Sequence, residues 1–409
     1  MQKGSPVVSF DNTENTFAYK SDKELRKARF LFSSMNNAAL VNFGIKVTPW
    51  AIRVGLPVKG LIRNTIFRQF VGGETLEETA MVADKLGQYG VQVILDYGVE
   101  GKEGEANFDH ACEEFIRVIR FAAGKPGVPY MSVKVTGIAR FGLLEKLDAA
   151  ATDKSGYEGK VHTEVLTDAE KEEWGRVVQR LSRICEAAAA AHTGVFIDAE
   201  ESWIQDPVDA ITMQMMEQFN KEKAVVFNTI QLYRHDRLQF LKDSYAYAAA
   251  KGFILGAKLV RGAYMEKERK RAAELGYPSP IQPDKEASDR DYNKAIEFCI
   301  DHIDRIAMIV ASHNEYSNLY ATELLEKKGL PHNHPHVHFS QLYGMSDHIT
   351  FNLAKAGYSV SKYLPFGPIK DVIPYLMRRA QENSSVSGQT GRELSLIKKE
   401  LRRRRMAKV

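Results

Sequence analysis

Two adjacent arginines, Arg378-Arg379, are the residues whose type and setting say most about chemistry in this chain. A guanidinium is planar and permanently charged, and its paired donors match a carboxylate or a phosphate in two-point contact. Upstream lies Tyr363-Leu364-Pro365-Phe366-Gly367, where the Val- and aromatic-rich run Tyr358 to Leu364 alternates as a strand does. Gly367-Pro368 ends that strand and opens a helix, because proline's fixed φ and missing N–H suit a first helical turn. Residues Ile369 to Asn383 then make roughly four turns. Glu382 lies one turn beyond the arginines, within reach of either guanidinium. By itself such a cluster also fits a solvated helix face with an ion pair. Its neighbours decide between the two.

The elements that must position these arginines form a regular march. At 409 residues the chain can be one large barrel or two to three ordinary domains. Short Val/Ile-rich runs recur at Val91–Val99, Tyr130–Thr136, Gly194–Ala199, Ala224–Tyr233, Phe253–Gly262, Arg305–His313, His336–Leu342 and Tyr358–Leu364. Between them, stretches such as Phe108–Ala123, Asp168–His192 and Asp236–Lys251 carry helical spacing. Strands apolar nearly throughout, each followed by a helix, predict a parallel sheet covered by helices, and eight such units predict a (β/α)8 TIM barrel. The competing doubly wound sheet is expected to carry G-x-G-x-x-G after its first strand, and no such run follows any of these strands. The expected organisation is a helical arm or cap over 1–90, the barrel over 91–390 and a basic C-terminal helix over 391–409. Residues 141–166 read as a surface loop around a short helix. Residues 263–291, with Pro278, Pro280 and Pro283 among many charges, read as an extended loop.

The C-terminal strand ends, where such a barrel keeps its active site, are polar. They present Lys134 on the second strand, Asp198 on the third, Gln231 on the fourth, and Lys258 and Arg261 on the fifth. Ser312 and His313 follow on the sixth, Gln341 on the seventh, and Lys362 and Tyr363 on the eighth. Each alone fits a paired structural charge; together at one rim they predict an active site. Metal ligation is disfavoured, because the alternating His332, His334, His336 and His338 come without a carboxylate set. No G-x-S-x-G elbow or Cys/His nucleophile pattern is present. Arg378, Arg379 and Lys134 supply enough cation for a small carboxylate substrate, with Tyr363 and Leu259 as nonpolar walls.

Composition narrows the setting. No run of eighteen apolar residues occurs, and the acidic first twenty-five residues lack the apolar stretch of a signal peptide. Cys112, Cys185 and Cys299 are widely spaced, which argues against a disulfide framework and for a reducing, cytoplasmic setting. The net charge of +4 is concentrated from Lys398 onward, leaving a body that is not basic and gives nucleic-acid binding little support. The run Arg402-Arg403-Arg404-Arg405 reads first as a solvated helix end and second as a peripheral contact with the inner, anionic face of a membrane.

At these residues the sequence resembles the proline dehydrogenase family. The matching blocks are S-V-K-V-T at 132–136, F-I-D-A-E-E at 196–201, N-T-I-Q-L-Y at 228–233, K-L-V-R-G-A-Y-M-E-K-E-R at 258–269 and A-S-H-N at 311–314. The last and longest runs from K-Y-L-P-F-G at 362 to E-N-S-S-V at 386. The resemblance implies a distorted (β/α)8 barrel that holds FAD non-covalently without a Rossmann fingerprint. It also implies the first step of proline catabolism, oxidation of L-proline to Δ1-pyrroline-5-carboxylate with hydride passing from proline C5 to FAD N5 and electrons onward to a quinone. Carried over, Arg378 and Arg379 clamp the proline carboxylate with Lys134, and Glu382 braces the pair. Tyr363, Leu259 and Tyr264 line the substrate ring. Gln231, Lys258, Arg261, Ala263, Ser312 and His313 contact the flavin, with Asp198 near Lys134 and the flavin. Lys258 stands where the family usually has arginine, as in its eukaryote-like branch. The short loop Tyr264–Glu268 is expected to close over the ring. Relatives that prefer hydroxyproline tend to carry a smaller residue at the position of Tyr363. With no aldehyde dehydrogenase domain following, the expectation is a monofunctional enzyme whose product goes to a separate pyrroline-5-carboxylate/glutamate semialdehyde dehydrogenase. The alternatives are a hydroxyproline-preferring dehydrogenase, an FAD barrel of the methylenetetrahydrofolate reductase type, and a catalytically silent scaffold.

Overall fold

A computed structural model describes residues 8–37, 39, 41, 44, 45, 47, 59–98, 103–152, 155–385 and 389–407. Its eight parallel strands close into a barrel in chain order, so the (β/α)8 expectation holds. The strands are β1 (Gln92–Tyr97), β2 (Tyr130–Lys134), β3 (Gly194–Asp198), β4 (Val226–Gln231), β5 (Leu255–Val260), β6 (Ile306–Ala311), β7 (Val337–Leu342) and β8 (Val360–Phe366). Seven of the eight apolar runs contain one of them whole, and the eighth, Tyr358–Leu364, stops two residues short of the end of β8. They are nearly continuous in Val, Ile, Leu and Phe because a covered parallel sheet buries both faces. β3, β4 and β8, for example, are buried at every position. The chain falls into two compact units, residues 99–340 and residues 1–98 with 341–409.

The 99–340 unit holds β2 to β6, paired in register so that Lys134 lies opposite Asp198 and Thr229 opposite Lys258. Its covering helices are set by local chemistry. The Asp168–Ala191 helix, for instance, starts at a capping box in which the Thr167 hydroxyl accepts from Glu170 N and the Glu170 carboxylate accepts from Thr167 N. Two expectations need correction. Residues 263–291 are not an extended loop: they contain the Met265–Leu275 helix and the start of the Lys285–Asp301 helix. M-E-K-E-R-K-R-A-A-E-L is built almost wholly of strong helix formers, and the prolines fall in the short link between the two helices. Tyr264 is accordingly the residue capping a helix start, and the 264–268 segment is its first turn rather than a short loop. The 141–166 stretch does contain a short helix, Phe141–Ala150, but Leu143, Leu144 and Leu147 on it are buried.

In the other unit β1 and β8 pair in parallel, Gln92 opposite Ser361 through Tyr97 opposite Phe366. Pro365 is tolerated because it lies near the strand end, and its carbonyl accepts from Gly72 N at 2.8 Å. Residues 8–91 hold helices and no strand among the described residues, notably Asp22–Met35 and Leu76–Gly87. The Asp22–Met35 helix and the Arg68–Phe70 turn, with Ile369–Ser385 and Gln389–Met406, share an apolar cluster that includes Leu25, Phe32, Phe70, Leu376 and Ile397. The C-terminal basic run is therefore not simply a solvated end. Arg404 donates to Glu400, to Asp22 and to the carbonyls of Phe17 and Lys20, and Arg403 pairs with Glu400. A guanidinium is well suited to the carbonyls at the end of the Thr13–Phe17 helix, where Phe17 O also accepts from Lys20 N at 3.0 Å. No helix among the described residues is long and apolar enough to cross a membrane.

Candidate active site

Lys134, Asp198 and Gln231 are the last residues of β2, β3 and β4, so the closed sheet brings three distant polar positions to neighbouring strand ends. Asp198 Oδ1 lies 2.5 Å from Lys258 Nζ, and its Oδ2 lies 3.9 Å from Lys134 Nζ. All three groups are largely shielded from water, where a charge survives if it is paired. One carboxylate shared by two ammonium groups leaves a net charge of +1, suited to an anion. Lys258 also lies over the Phe196 ring, 5.4 Å from its centroid.

On β4, Thr229 and Gln231 are two residues apart and share a face. Both are buried, and Thr229 Oγ1 and Gln231 Oε1 have no hydrogen-bond partner among the described residues. Gln231 Nε2 donates to the Glu200 carbonyl at 2.9 Å, which holds the amide in place. A buried acceptor without a donor costs free energy unless a ligand supplies one.

Arg261, just past β5, is held on every side. It donates to Asp289 at 2.7 Å, Ser312 Oγ at 2.7 Å and Ser317 Oγ at 3.0 Å, and lies 4.3 Å from the Tyr292 ring centroid. Asp289, Ser317 and Tyr292 were not legible as site residues, because they lie on helices whose spacing reads as ordinary amphipathicity. Gly262 follows at φ 142°, and a Cβ there would fall 2.4 Å from the Tyr233 ring, so only glycine lets the chain turn against that tyrosine. Ala263 is exposed, Tyr264 and His313 are half-buried, and Leu259 is fully buried in β5.

In the unit of residues 1–98 and 341–409, Tyr363 is buried in β8 and its carbonyl accepts from Tyr343 N at 2.9 Å. Neighbouring Lys362 is fully buried and bonds Asp347 at 2.9 Å, a structural ion pair rather than a strand-end group open to a substrate. Gln341 likewise accepts from Thr350 Oγ1 at 2.7 Å. On the Ile369–Ser385 helix Arg378 is half-buried, while Arg379 is only 7% exposed and lies 5.2 Å from the Tyr375 ring centroid. Tyr375, four residues before Arg379 and so on the same helix face, is a neighbour that the arginine spacing alone did not suggest. The Glu382 side chain lies outside the described residues. Of the histidine cluster, His338 is buried in β7, where desolvation pushes its imidazole down to about 3 and keeps it neutral.

A family model described as proline dehydrogenase matches residues 80–392. The chain belongs to the proline dehydrogenase family. It is 31% identical over 379 residues to "Proline dehydrogenase 1, mitochondrial" of Dictyostelium discoideum, covering 85% of this chain and 66% of that protein. It is 34% identical over 413 residues to the hydroxyproline dehydrogenase of Xenopus laevis, covering 95% and 88%. To the carbapenem antibiotics biosynthesis protein CarD of Pectobacterium carotovorum it is 35% identical over 346 residues, covering 85% and 86%. Among solved structures, proline utilization A from Bdellovibrio bacteriovorus superposes with a TM-score of 0.67 at 22% identity, which bears on fold alone. That match covers 95% of this chain and 40% of the neighbour, so this member of the proline dehydrogenase family spans well under half of that protein.

Proposed function

We propose that this protein is an FAD-dependent proline dehydrogenase that oxidises L-proline to Δ1-pyrroline-5-carboxylate. The observation that carries the reading, beside family membership, is the strand-end cluster of Lys134, Asp198 and Lys258 next to the unsatisfied Gln231 Oε1. These residues fit a flavin. Gln231 and Thr229 present buried acceptors that need a donor, and Lys258, Arg261 and Ser312 present rigidly held donors. Gln231, Lys258, Arg261, Ala263, Ser312 and His313 would hold the cofactor, with Asp198 fixing Lys258. FAD, when bound, supplies the acceptor for the hydride lost from proline C5. The chain's own residues orient the substrate and exclude water. Arg378 and Arg379 take its carboxylate in two-point contact together with the charge of Lys134, braced by Glu382, while Tyr363, Leu259 and Tyr264 line its ring. A quinone as electron acceptor, a separate dehydrogenase as consumer of the product, and docking of the exposed Lys398, Arg402 and Arg405 on an inner membrane face complete the reading.

The purified protein is expected to be yellow, and its flavin absorbance to bleach when L-proline is added without oxygen. A colourless protein, or a flavin that bleaches with NADH and not with proline, would overturn the assignment.

The similarity to a hydroxyproline dehydrogenase over nearly the whole chain supports a second reading. Tyr363 argues against it, because a buried tyrosine ring leaves little room for a C4 hydroxyl. The expected kcat/KM for L-proline exceeds that for 4-hydroxyproline by about tenfold or more, the scale set by one misfitted group in an apolar pocket. Tyr363→Ser is expected to narrow the gap. Equal rates in the wild-type protein would favour the hydroxyproline reading.

A further inference from the structure

One buried acid in the 99–340 unit has no role in the chemistry above. Glu200 lies two residues beyond Asp198, and among the described residues it makes no ion pair. Its neighbours are provided for: Asp198 has Lys258 and Lys134, Glu201 has Lys267, and Glu268 accepts from Ser202. Among the described residues, Thr136 alone bonds the Glu200 carboxyl. Its Oγ1 lies 2.9 Å from Oε1 and 2.8 Å from Oε2, and its backbone N–H donates to Oε1 at 3.4 Å. A threonine hydroxyl has one hydrogen to give, so this buried carboxyl has two neutral donors and, among the described residues, no cation paired to it, and burial then favours its protonated form. The backbone of Glu200 is pinned as well. Its N–H donates to Gln205 Oε1 at 3.0 Å, and its carbonyl accepts from Gln231 at 2.9 Å.

We propose that Glu200 is a positioning residue that holds a proton beside Lys134, and that losing this proton weakens the positive charge the Lys134–Asp198–Lys258 cluster offers an anionic substrate. With Glu200 neutral the cluster carries +1. With Glu200 ionised the four groups sum to zero and Lys134 is drawn to its new neighbour. Burial pushes the Glu200 carboxyl up to about 7 and Glu201 adds to this, while Lys134 and the two Thr136 bonds act in the opposite sense. Lys267, paired to Glu201, moderates that second acid. The charge therefore changes near neutrality. The proposal rests on the proline reading for its substrate, but not for the proton itself.

Two measurements on the flavin-loaded protein separate these parts. Infrared spectra with isotope-labelled glutamate are expected to show a protonated carboxyl band that disappears as pH rises through about 7, and that Glu200→Gln lacks. In Thr136→Val the disappearance moves to higher pH, because the lost bonds favoured the ionised form. Kinetically, the KM for L-proline is expected to rise about 3- to 10-fold more in the wild type than in Glu200→Gln between about pH 6 and about pH 8, the scale of one added charge at short range. Absence of the band below neutrality overturns the held proton. Identical pH profiles of KM, with the band present, overturn the positioning role. A protein that does not oxidise proline at all removes the function assigned above, and the infrared result still decides the proton.

Discussion

Arg379→Met raises the KM for L-proline by about 30-fold or more and leaves the flavin spectrum unchanged. Methionine keeps much of the length and apolar bulk of the arginine stem, so the packing against Tyr375 survives while the charge and the paired donors do not. Truncating one partner of a desolvated, hydrogen-bonded charge pair costs about 2–5 kcal/mol, and each 1.4 kcal/mol is tenfold in affinity. At 7% exposure Arg379 is shielded enough for that range rather than the small value of a surface pair. The loss follows the carboxylate. A carboxylate-bearing competitive inhibitor weakens by the same factor, and pyrrolidine, which has the ring without the acid group, does not. If proline saturates the variant as it does the wild type, the arginine pair is a structural feature and the carboxylate is held elsewhere.

The second large effect is expected at Asp198. Asp198→Ala leaves Lys258 buried without its anionic partner at 2.5 Å, and breaking a buried pair by removing one member costs about 3–5 kcal/mol. The variant is therefore expected to unfold at lower denaturant concentration and to retain less flavin. Asp198→Ala combined with Lys258→Met recovers most of the stability, since no charge is then left stranded, but not the flavin binding. Wild-type stability and flavin content in the single variant would show that Lys258 does not depend on Asp198. Glu200 gives a linked stability signal of known sign. Its folded value lies above the usual 4.5, so the folded state binds more protons than the unfolded state between about 4.5 and about 7. Stability falls as pH rises through that window, and Glu200→Gln removes this part of the slope.

The barrel was written in the sequence because each strand is a local pattern. Val226–Gln231 or Ile306–Ala311 is an apolar run bounded by breakers, and burying both faces of a parallel sheet requires little else of it. The arginine helix was legible for the same reason, from Gly367-Pro368 and the spacing after it. Local cues misled where composition and propensity disagree. The charges and prolines of 263–291 resemble a loop, but the charged residues are themselves strong helix formers, and the prolines only separate two helices. Spacing could not reveal partners supplied from far along the chain. Arg404 reads as one of four like charges in a row, yet its donors are taken by groups nearly four hundred residues away. Thr136 and Glu200 are 64 residues apart, and only the closing of β2 on β3 makes a proton-bearing carboxyl out of an acid that the sequence shows as one of three in a row of four. The sequence by itself thus determined the strands, the family and which residue types stand at the strand ends. Tertiary structure decided their pairing, burial and charge state, because those depend on which groups exclude water from one another.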